Sequence, residues 1–311
     1  MENYEKKAIL ATIIYSDIFD FPLKKEEIWK YLTTESGKKV GWKEFNKNLQ
    51  ELIDLNTHIK KTGDFFCLKG RERIILKRKQ REKESKEKIL KAQKISRLLS
   101  FVPTIKLIGL SGSLSLKNSK EDDDIDLFII VRKNSLWISR LILAVLLDIF
   151  RKRRRKKSRD ISNKFCLNMF LDERYLSFEK ERHDLYTAHE IVQMNPLFET
   201  DNIYEKFITA NLWVTKFLPN SLDRRSNKNP SAPLARSGQA SLLVLFFSVL
   251  EYPAKKLQLW YMKKHITTET INNRVLAFHP FDHRKKILKE FSKKMKNYDL
   301  SIFTHGEEIK L

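Results

Sequence analysis

The segment from Lys106 to Val131 constrains the fold of this chain more than any other. It places a small-residue turn at 109–113 after a short apolar run, and an acidic cluster before the apolar run Leu127 to Val131. An apolar run rich in isoleucine and valine is typical of a strand buried on both faces. Side chains two residues apart in a strand point the same way, so Asp124 and Asp126 should present two carboxylates together where this strand begins.

Placing Asp124 and Asp126 beside apolar strand residues is unfavourable, because two like charges repel each other and lose hydration there. A divalent cation between the carboxylates removes that penalty, and Mg²⁺ prefers hard oxygen ligands. We therefore expect these two residues to bind Mg²⁺. The alternative is a solvated acidic loop that ends where a core strand begins. That alternative does not explain why Asp126 lies inside the apolar run.

The turn before the acidic cluster has complementary chemistry. Gly112 lets the backbone approach a ligand closely, and Ser113 can begin a helix as its N-cap. Free N–H groups at the start of a helix, together with the helix dipole, bind phosphate. The sequence therefore predicts a phosphate-binding turn next to a pair of metal-binding carboxylates.

These residues carry a resemblance to a known family. Gly112 and Ser113, followed after ten residues by the D-x-D pair of Asp124 and Asp126, are similar to the signature of the DNA polymerase beta-like nucleotidyltransferases. The resemblance covers roughly residues 105 to 172. It implies that the Gly-Ser turn (Gly112 and Ser113) binds the triphosphate of a nucleoside triphosphate, and that the D-x-D pair holds two Mg²⁺ ions.

The same resemblance implies a reaction. A nucleoside monophosphate would pass from a nucleoside triphosphate such as ATP to an acceptor hydroxyl, with release of pyrophosphate. One departure from the family pattern is visible in the turn. Many members carry a glycine four residues after the serine, whereas Lys117 stands at that position here.

In this superfamily a third carboxylate on a later strand completes the site. Residues 163 to 172 predict that strand, and alternation puts Asn168, Phe170 and Asp172 on one face. Asp172 is the candidate for the third catalytic and metal-binding carboxylate, where it would share a cation and assist deprotonation of the acceptor. If Asn168 takes the third position instead, the site would bind nucleotide without turning it over.

Residues 1–70 predict a small domain of three helices and a hairpin, which resembles a winged helix. The functional interpretation is nucleic-acid docking through the third helix, with phosphates near Lys43, Lys47, Lys60 and Lys61. The alternative is a scaffold or protein-contact module, because the same helix also carries Glu51 and other acids. Residues 71–100 predict a long, charged linker helix.

The remaining architecture is predicted as a nucleotidyltransferase core at 101–180 and a helical region at 181–311. Residues 220–239 are rich in Ser, Asn, Pro and Arg, and predict an exposed, mobile linker. The fold class expected for the whole chain is α+β: a small mixed sheet with flanking helices, preceded by the winged-helix-like domain.

An apolar helix at 135–150 is followed by the basic run RKRRRKKSR at 151–159. One interpretation is a membrane-surface helix with a basic anchor. The other is a buried crossover helix behind the sheet, which the superfamily fold requires. The helix is too short to span a bilayer and contains Arg140 and Asp148, so membrane insertion is not expected.

Composition sets the remaining expectations. The 311 residues have a formal net charge of +22, which attracts polyanions such as RNA, DNA or nucleotides, although a lysine-rich genome gives the same bias. Only Cys67 and Cys166 occur, and the N-terminus has no apolar signal segment, so a cytoplasmic location is expected. The alternative to the enzyme is a non-catalytic nucleic-acid-binding protein on the same fold.

Overall fold

The computed structural model describes residues 2–34, 36–154, 161–223, 234–236, 242–263, 270–271, 275–277, 281–298 and 300. Over these residues the chain is a mixed α+β structure with two sheets and flanking helices. No helix among the described residues combines the length and the apolar composition needed to cross a bilayer.

The described residues before Gly70 form helices around a small antiparallel sheet, whose strands lie in the order β1-β3-β2. Helix α3 is amphipathic, and it buries Phe45, Leu49 and Leu52 against the rest of this region. The elements are α1 (Glu2–Asp17), β1 (Leu23–Lys24), α2 (Lys25–Lys30), α3 (Trp42–Leu55), β2 (Ile59–Thr62) and β3 (Phe65–Leu68).

The long helix α4 (Ile74–Leu99) follows and joins this region to the second sheet. One face of α4 is buried along much of its length, although its sequence is highly charged. Arg78 and Lys88 are both 3% exposed on that face. The Arg78 guanidinium bonds to the Glu27 carboxylate at 2.7 and 2.8 Å. Helix α4 is therefore more than a solvated linker.

The second sheet contains the candidate site. Its described strands lie in the order β8-β7-β4-β5-β6-β10-β9. Strands β5 and β6 are parallel, whereas β4 is antiparallel to both β5 and β7. The strands are β4 (Ile105–Leu110), β5 (Ile125–Val131), β6 (Phe165–Asp172), β7 (Asn195–Thr200), β8 (Leu234–Arg236), β9 (Thr270–Ile271) and β10 (Val275–Ala277).

Helices cover both faces of this sheet. They are α5 (Gly112–Ser115), α6 (Leu136–Ile149), α7 (Leu185–Gln193), α8 (Ile203–Ala210), α9 (Leu242–Val249), α10 (Glu251–Met262) and α11 (Phe281–Asn297). Helix α6 connects the parallel strands β5 and β6 and buries Trp137, Leu143 and Leu147, which confirms the prediction of a crossover helix. Residues 155–159 of the basic run lie outside the described residues.

Alternation along β5 gives each face of the sheet its own core. Leu127 and Ile129 pack in the cluster that contains α6 and the end of α4. Phe128 and Ile130 pack in the other cluster, which extends without interruption into α1, α3, α7 and α11. The residues predicted as a separate front domain therefore share a hydrophobic core with one face of the central sheet.

The region at 181–311, which is predicted as helical, contains helices α7 to α11 but also contributes strands β7 to β10 to the central sheet. Strand β7 is short and contains Pro196, so its sequence gives a weak strand signal. The start of the predicted linker at 220–239 also differs from the prediction, because it is buried and not exposed. Asn220 is 1% exposed, and its amide donates to the backbone oxygen of Trp29 at 3.0 Å. Residues 224–233 and 237–239 lie outside the described residues.

Candidate functional site

The Gly-Ser turn follows β4 directly and opens a helix, α5, of a single turn. The backbone N–H of Ser111 donates to the backbone oxygen of Asp126 at 3.1 Å, which joins the turn to the start of β5. Lys117 has a φ of +58°, the left-handed conformation that glycine adopts most readily. The lysine at this position therefore follows a backbone path that would suit a glycine.

Gly112 packs directly against the carboxylate of Asp126. Its φ is +64°, and a Cβ added there would lie 2.9 Å from Asp126 Oδ2. Any side chain at this position would be strained and would collide with the carboxylate. The turn and the second acid of the D-x-D pair therefore form one compact unit.

Asp124 lies immediately before β5, and Asp126 is the second residue of that strand. The Arg154 guanidinium contacts Asp124 Oδ2 at 2.7 Å and partly compensates its charge. Even so, burial and then the neighbouring charge of Asp126 raise the pKa of the Asp124 carboxyl above its usual range. The charge of Asp124 is thus only partly compensated by its contact with Arg154.

Cys166 is the third potential metal ligand at this point. It lies opposite Asp126 in the register of β5 and β6. Ligand atoms of Asp124, Asp126 and Cys166 all lie within 4.8 Å of one another. Burial, followed by the charges of Asp126 and Asp124, raises the pKa of the Cys166 thiol well above its usual value.

A buried lysine fixes the loop that leads into the D-x-D pair. The Lys88 ammonium donates to the backbone oxygens of Asp123, at 2.7 Å, and Lys120, and to the Ser119 hydroxyl at 3.1 Å. The Asp123 carboxylate accepts from the Ser113 hydroxyl at 3.3 Å. Helix α4 therefore holds the acidic loop against the Gly-Ser turn.

The D-x-D pair and the Gly-Ser turn face a cavity of about 390 Å³. Its other walls come from the N-terminal region and from α7. The cavity-lining residues from those walls include Thr12, Tyr15, Ser16, Phe19, Tyr31, Tyr186, His189 and Glu190. The cavity thus has an acidic end beside the turn and a largely aromatic wall opposite it.

His189 lies in the aromatic wall and is 6% exposed. Its ring stacks on Tyr15 with centroids 4.4 Å apart, and burial lowers its pKa to about 3, so it stays neutral near pH 7. The Gln193 amide lies 2.7 Å from His189 Nδ1, whereas His189 Nε2 is buried with no hydrogen-bond partner among the described residues. A polar ligand atom in the cavity would supply the partner that this nitrogen lacks.

The prediction that Asp172 completes the site is wrong. Asp172 lies opposite Val131, six residues along β6 from Cys166, which is roughly 20 Å at the rise of a strand. It is also 1% exposed, and Arg174 and two backbone N–H groups bind its carboxylate. Asn168 lies beside the Gly-Ser turn, where its amide donates to the Ser111 hydroxyl at 3.4 Å, and it is not one of the residues that line the cavity described next to the D-x-D pair.

Sequence reasoning missed Cys166 and the cavity wall formed by α1. The alternation that grouped Asn168 with Asp172 extends back to Cys166, so the signal for the cysteine was present. The register between β5 and β6 shifts between Leu127 and Phe128. Beyond that point the side chains of β6 therefore lie on the opposite face from the one that simple alternation predicts, and no local signal in the sequence indicates the shift. The contribution of Tyr15 and Ser16 depends on packing between distant segments.

Comparisons of this chain with protein-family models, with curated proteins and with solved structures found no match.

Proposed function

We propose that this chain is a divalent-cation-dependent nucleotidyltransferase, which moves a nucleoside monophosphate from a nucleoside triphosphate to an acceptor hydroxyl and releases pyrophosphate. The observation that carries the proposal is the contact between Gly112 and the Asp126 carboxylate at the edge of one cavity. The cation binds to the phosphates of a nucleoside triphosphate. A phosphate-binding turn in direct contact with a pair of metal-binding carboxylates therefore suits that substrate.

The backbone of the Gly-Ser turn and the Ser113 hydroxyl would bind the triphosphate. Asp124 and Asp126 offer the hard oxygens that Mg²⁺ takes, and Mg²⁺ commonly binds one or two carboxylates together with substrate phosphates. The Cys166 sulfur, in contrast, is not a ligand that Mg²⁺ prefers. When bound, the cation would neutralise phosphate charge and lower the pKa of the acceptor hydroxyl.

The order of elements in the N-terminal region, which is helix, short strand, two helices and hairpin, supports a winged-helix-like fold. Its placement favours a role in substrate binding, because Tyr15 and Tyr31 line the cavity. Docking of nucleic acid through α3 has weaker support. Lys47 lies 3.8 Å from the Glu51 carboxylate, so this face mixes charges that attract and repel phosphate.

The test is the substitution Asp126→Asn, with Asp122→Asn on the exposed part of the same loop as the matched control. Pyrophosphate release in the presence of Mg²⁺ or Mn²⁺ should fall at least about 100-fold in Asp126→Asn, or about 2.7 kcal/mol of transition-state stabilisation. Thermal unfolding should not shift to lower temperature, because one of two repelling charges is removed. Full activity in Asp126→Asn would reject the assignment.

A second candidate function is nucleotide binding without turnover. The observation that favours it is the thiol of Cys166, which occupies the place beside the D-x-D pair where a third carboxylate is expected. Calorimetric binding of a non-hydrolysable nucleoside triphosphate by the wild-type chain, with no pyrophosphate released from the natural one, would favour this candidate. The same protein mixed with labelled RNA or DNA at rising salt tests the nucleic-acid-binding alternative.

A further inference from the structure

The donor set beside the Gly-Ser turn differs from the one that the family resemblance implies. Three carboxylates suit Mg²⁺, but the described residues bring together two carboxylates and one thiol, from Asp124, Asp126 and Cys166. The parallel register of β5 and β6 fixes this arrangement, because it sets Cys166 opposite Asp126. The sulfur is thus positioned by the sheet itself.

Sulfur changes which cation the site suits. Thiolate is a soft ligand that Zn²⁺ and Co²⁺ accept readily, whereas Mg²⁺ takes oxygen and retains water. Two carboxylates and one thiolate would leave a fourth position open, which is the ligand count of a catalytic zinc site. The donor chemistry therefore favours a transition metal over Mg²⁺.

A second observation points to a ligand in the same cavity. His189 Nε2 is buried and has no hydrogen-bond partner among the described residues, although the residue lines the cavity that Asp124 and Asp126 also line. A buried polar nitrogen without a hydrogen-bond partner is energetically unfavourable, unless a group in the adjacent cavity bonds to it. A metal at the acidic end of the cavity and a polar ligand group bonded to His189 at its aromatic wall would together fill the cavity.

We infer that Asp124, Asp126 and Cys166 form a site for a thiophilic divalent cation of the Zn²⁺ and Co²⁺ class. On binding, the Cys166 thiol releases its proton to solvent as the bond from sulfur to metal forms. The inference shares its cation site with the proposed transferase function, but it concerns metal binding alone. Metal binding by these three residues can therefore be tested in the absence of nucleotide.

Arg154 competes with the cation for this site. Its guanidinium lies 2.7 Å from Asp124 Oδ2 and 4.0 Å from the Cys166 sulfur. A metal bound to Asp124 must displace this contact or share the carboxylate with it. Arg154→Gln removes the competing charge and should therefore tighten metal binding, by about two- to fivefold for a partly exposed ion pair.

The experiment is a titration of the 311-residue chain with Co²⁺ in the absence of nucleotide, followed by absorbance. The wild-type chain should show the near-ultraviolet charge-transfer band of a bond from sulfur to cobalt. Cys166→Ser should lose the band and weaken Zn²⁺ binding at least about tenfold. Cys67→Ala, which removes the other cysteine, should keep both. The absence of the band in the wild type, or its persistence in Cys166→Ser, overturns the inference.

A second variant guards against a folding defect in Cys166→Ser. Cys166→Asp should bind Co²⁺ without the sulfur band and shift relative affinity toward Mg²⁺ and Mn²⁺, because all three donors become oxygens. A retained preference for Zn²⁺ in this variant counts against the inference. Wild-type Co²⁺ binding through sulfur without pyrophosphate release would reject the transferase alone, and release without a sulfur band would reject this inference alone.

Discussion

Acidic side chains lie at both ends of the parallel strands β5 and β6, but only Asp172, at one end, is fully buried. At one end the Asp172 carboxylate accepts hydrogen bonds from the backbone N–H groups of Asn134, at 3.1 Å, and Arg174, at 2.9 Å. The Arg174 guanidinium adds bonds of 2.8 and 2.9 Å. Every carboxylate oxygen of Asp172 therefore has a partner.

The other end carries Asp124 and Asp126, and the charge of Asp124 is only partly compensated. Two carboxylates lie close together, and the described protein offers one guanidinium contact to Asp124 at 2.7 Å. In the cavity that these two residues line, His189 Nε2 also has no hydrogen-bond partner among the described residues. A satisfied buried acid stabilises a fold, whereas a partly compensated group beside a cavity indicates a ligand.

The largest expected effect concerns the satisfied end. Asp172→Ala should lower the free energy of unfolding by about 2–3 kcal/mol, because two backbone N–H groups and Arg174 lose their acceptor; the half-exposed Arg174 limits the loss. Urea unfolding measures this change. Metal binding and pyrophosphate release should be unchanged in the folded fraction. A loss of metal affinity in Asp172→Ala would break the distinction between the two ends.

The next effect is the pH dependence of stability that His189, in the wall of the cavity, should produce. The folded-state pKa of His189 is about 3, below its ordinary value of 6.5, so the unfolded chain takes up a proton first as the pH falls. The tyrosines that contact this ring, Tyr15 and Tyr31, have pKa values raised by burial and stay neutral in this range. Stability from His189 is therefore fully present above pH 6.5 and is lost as the pH falls toward 3.

The measurement is urea unfolding of the wild type and of His189→Gln between pH 7 and pH 5. From pH 7 to pH 5 the wild type should lose about 2 kcal/mol relative to the variant, because the unfolded histidine takes up its proton over this range and the slope approaches 1.36 kcal/mol per pH unit. Parallel stability curves for the two proteins would mean that the ring is accessible to protons, and that the wall of the cavity is open.

The smallest effect tests the contact inside the Gly-Ser turn. Gly112→Ala and Gly63→Ala both place a side chain at positive φ, +64° and +59°, which costs about 1 kcal/mol each. Only at Gly112 does the new methyl group also meet Asp126 Oδ2. Gly112→Ala should therefore be less stable than Gly63→Ala by roughly a further 1 kcal/mol, and it alone should weaken Co²⁺ or Zn²⁺ binding.

Equal metal affinity in Gly112→Ala and Gly63→Ala would show that the Asp126 carboxylate is not fixed by the turn. Thermal unfolding of both variants, run beside the metal titrations, separates that outcome from a general loss of structure.

Much of the candidate site follows from local sequence. The apolar run Leu127 to Val131 predicted β5, and the period of two in a strand put Asp124 and Asp126 together. The small residues before the acidic cluster predicted the turn, and Gly112 does have the positive φ that glycine allows. These features depend on neighbours in the chain, so the sequence determines them.

Only the tertiary structure decided the third ligand and the walls of the cavity. The register of β5 and β6, with its irregularity after Leu127, chose Cys166 over Asp172. Packing between distant segments brought Tyr15 and His189 to the cavity, and it added β7 to β10 to the central sheet. Register and packing arise from the best burial of many segments at once, so no local pattern in the chain specifies them.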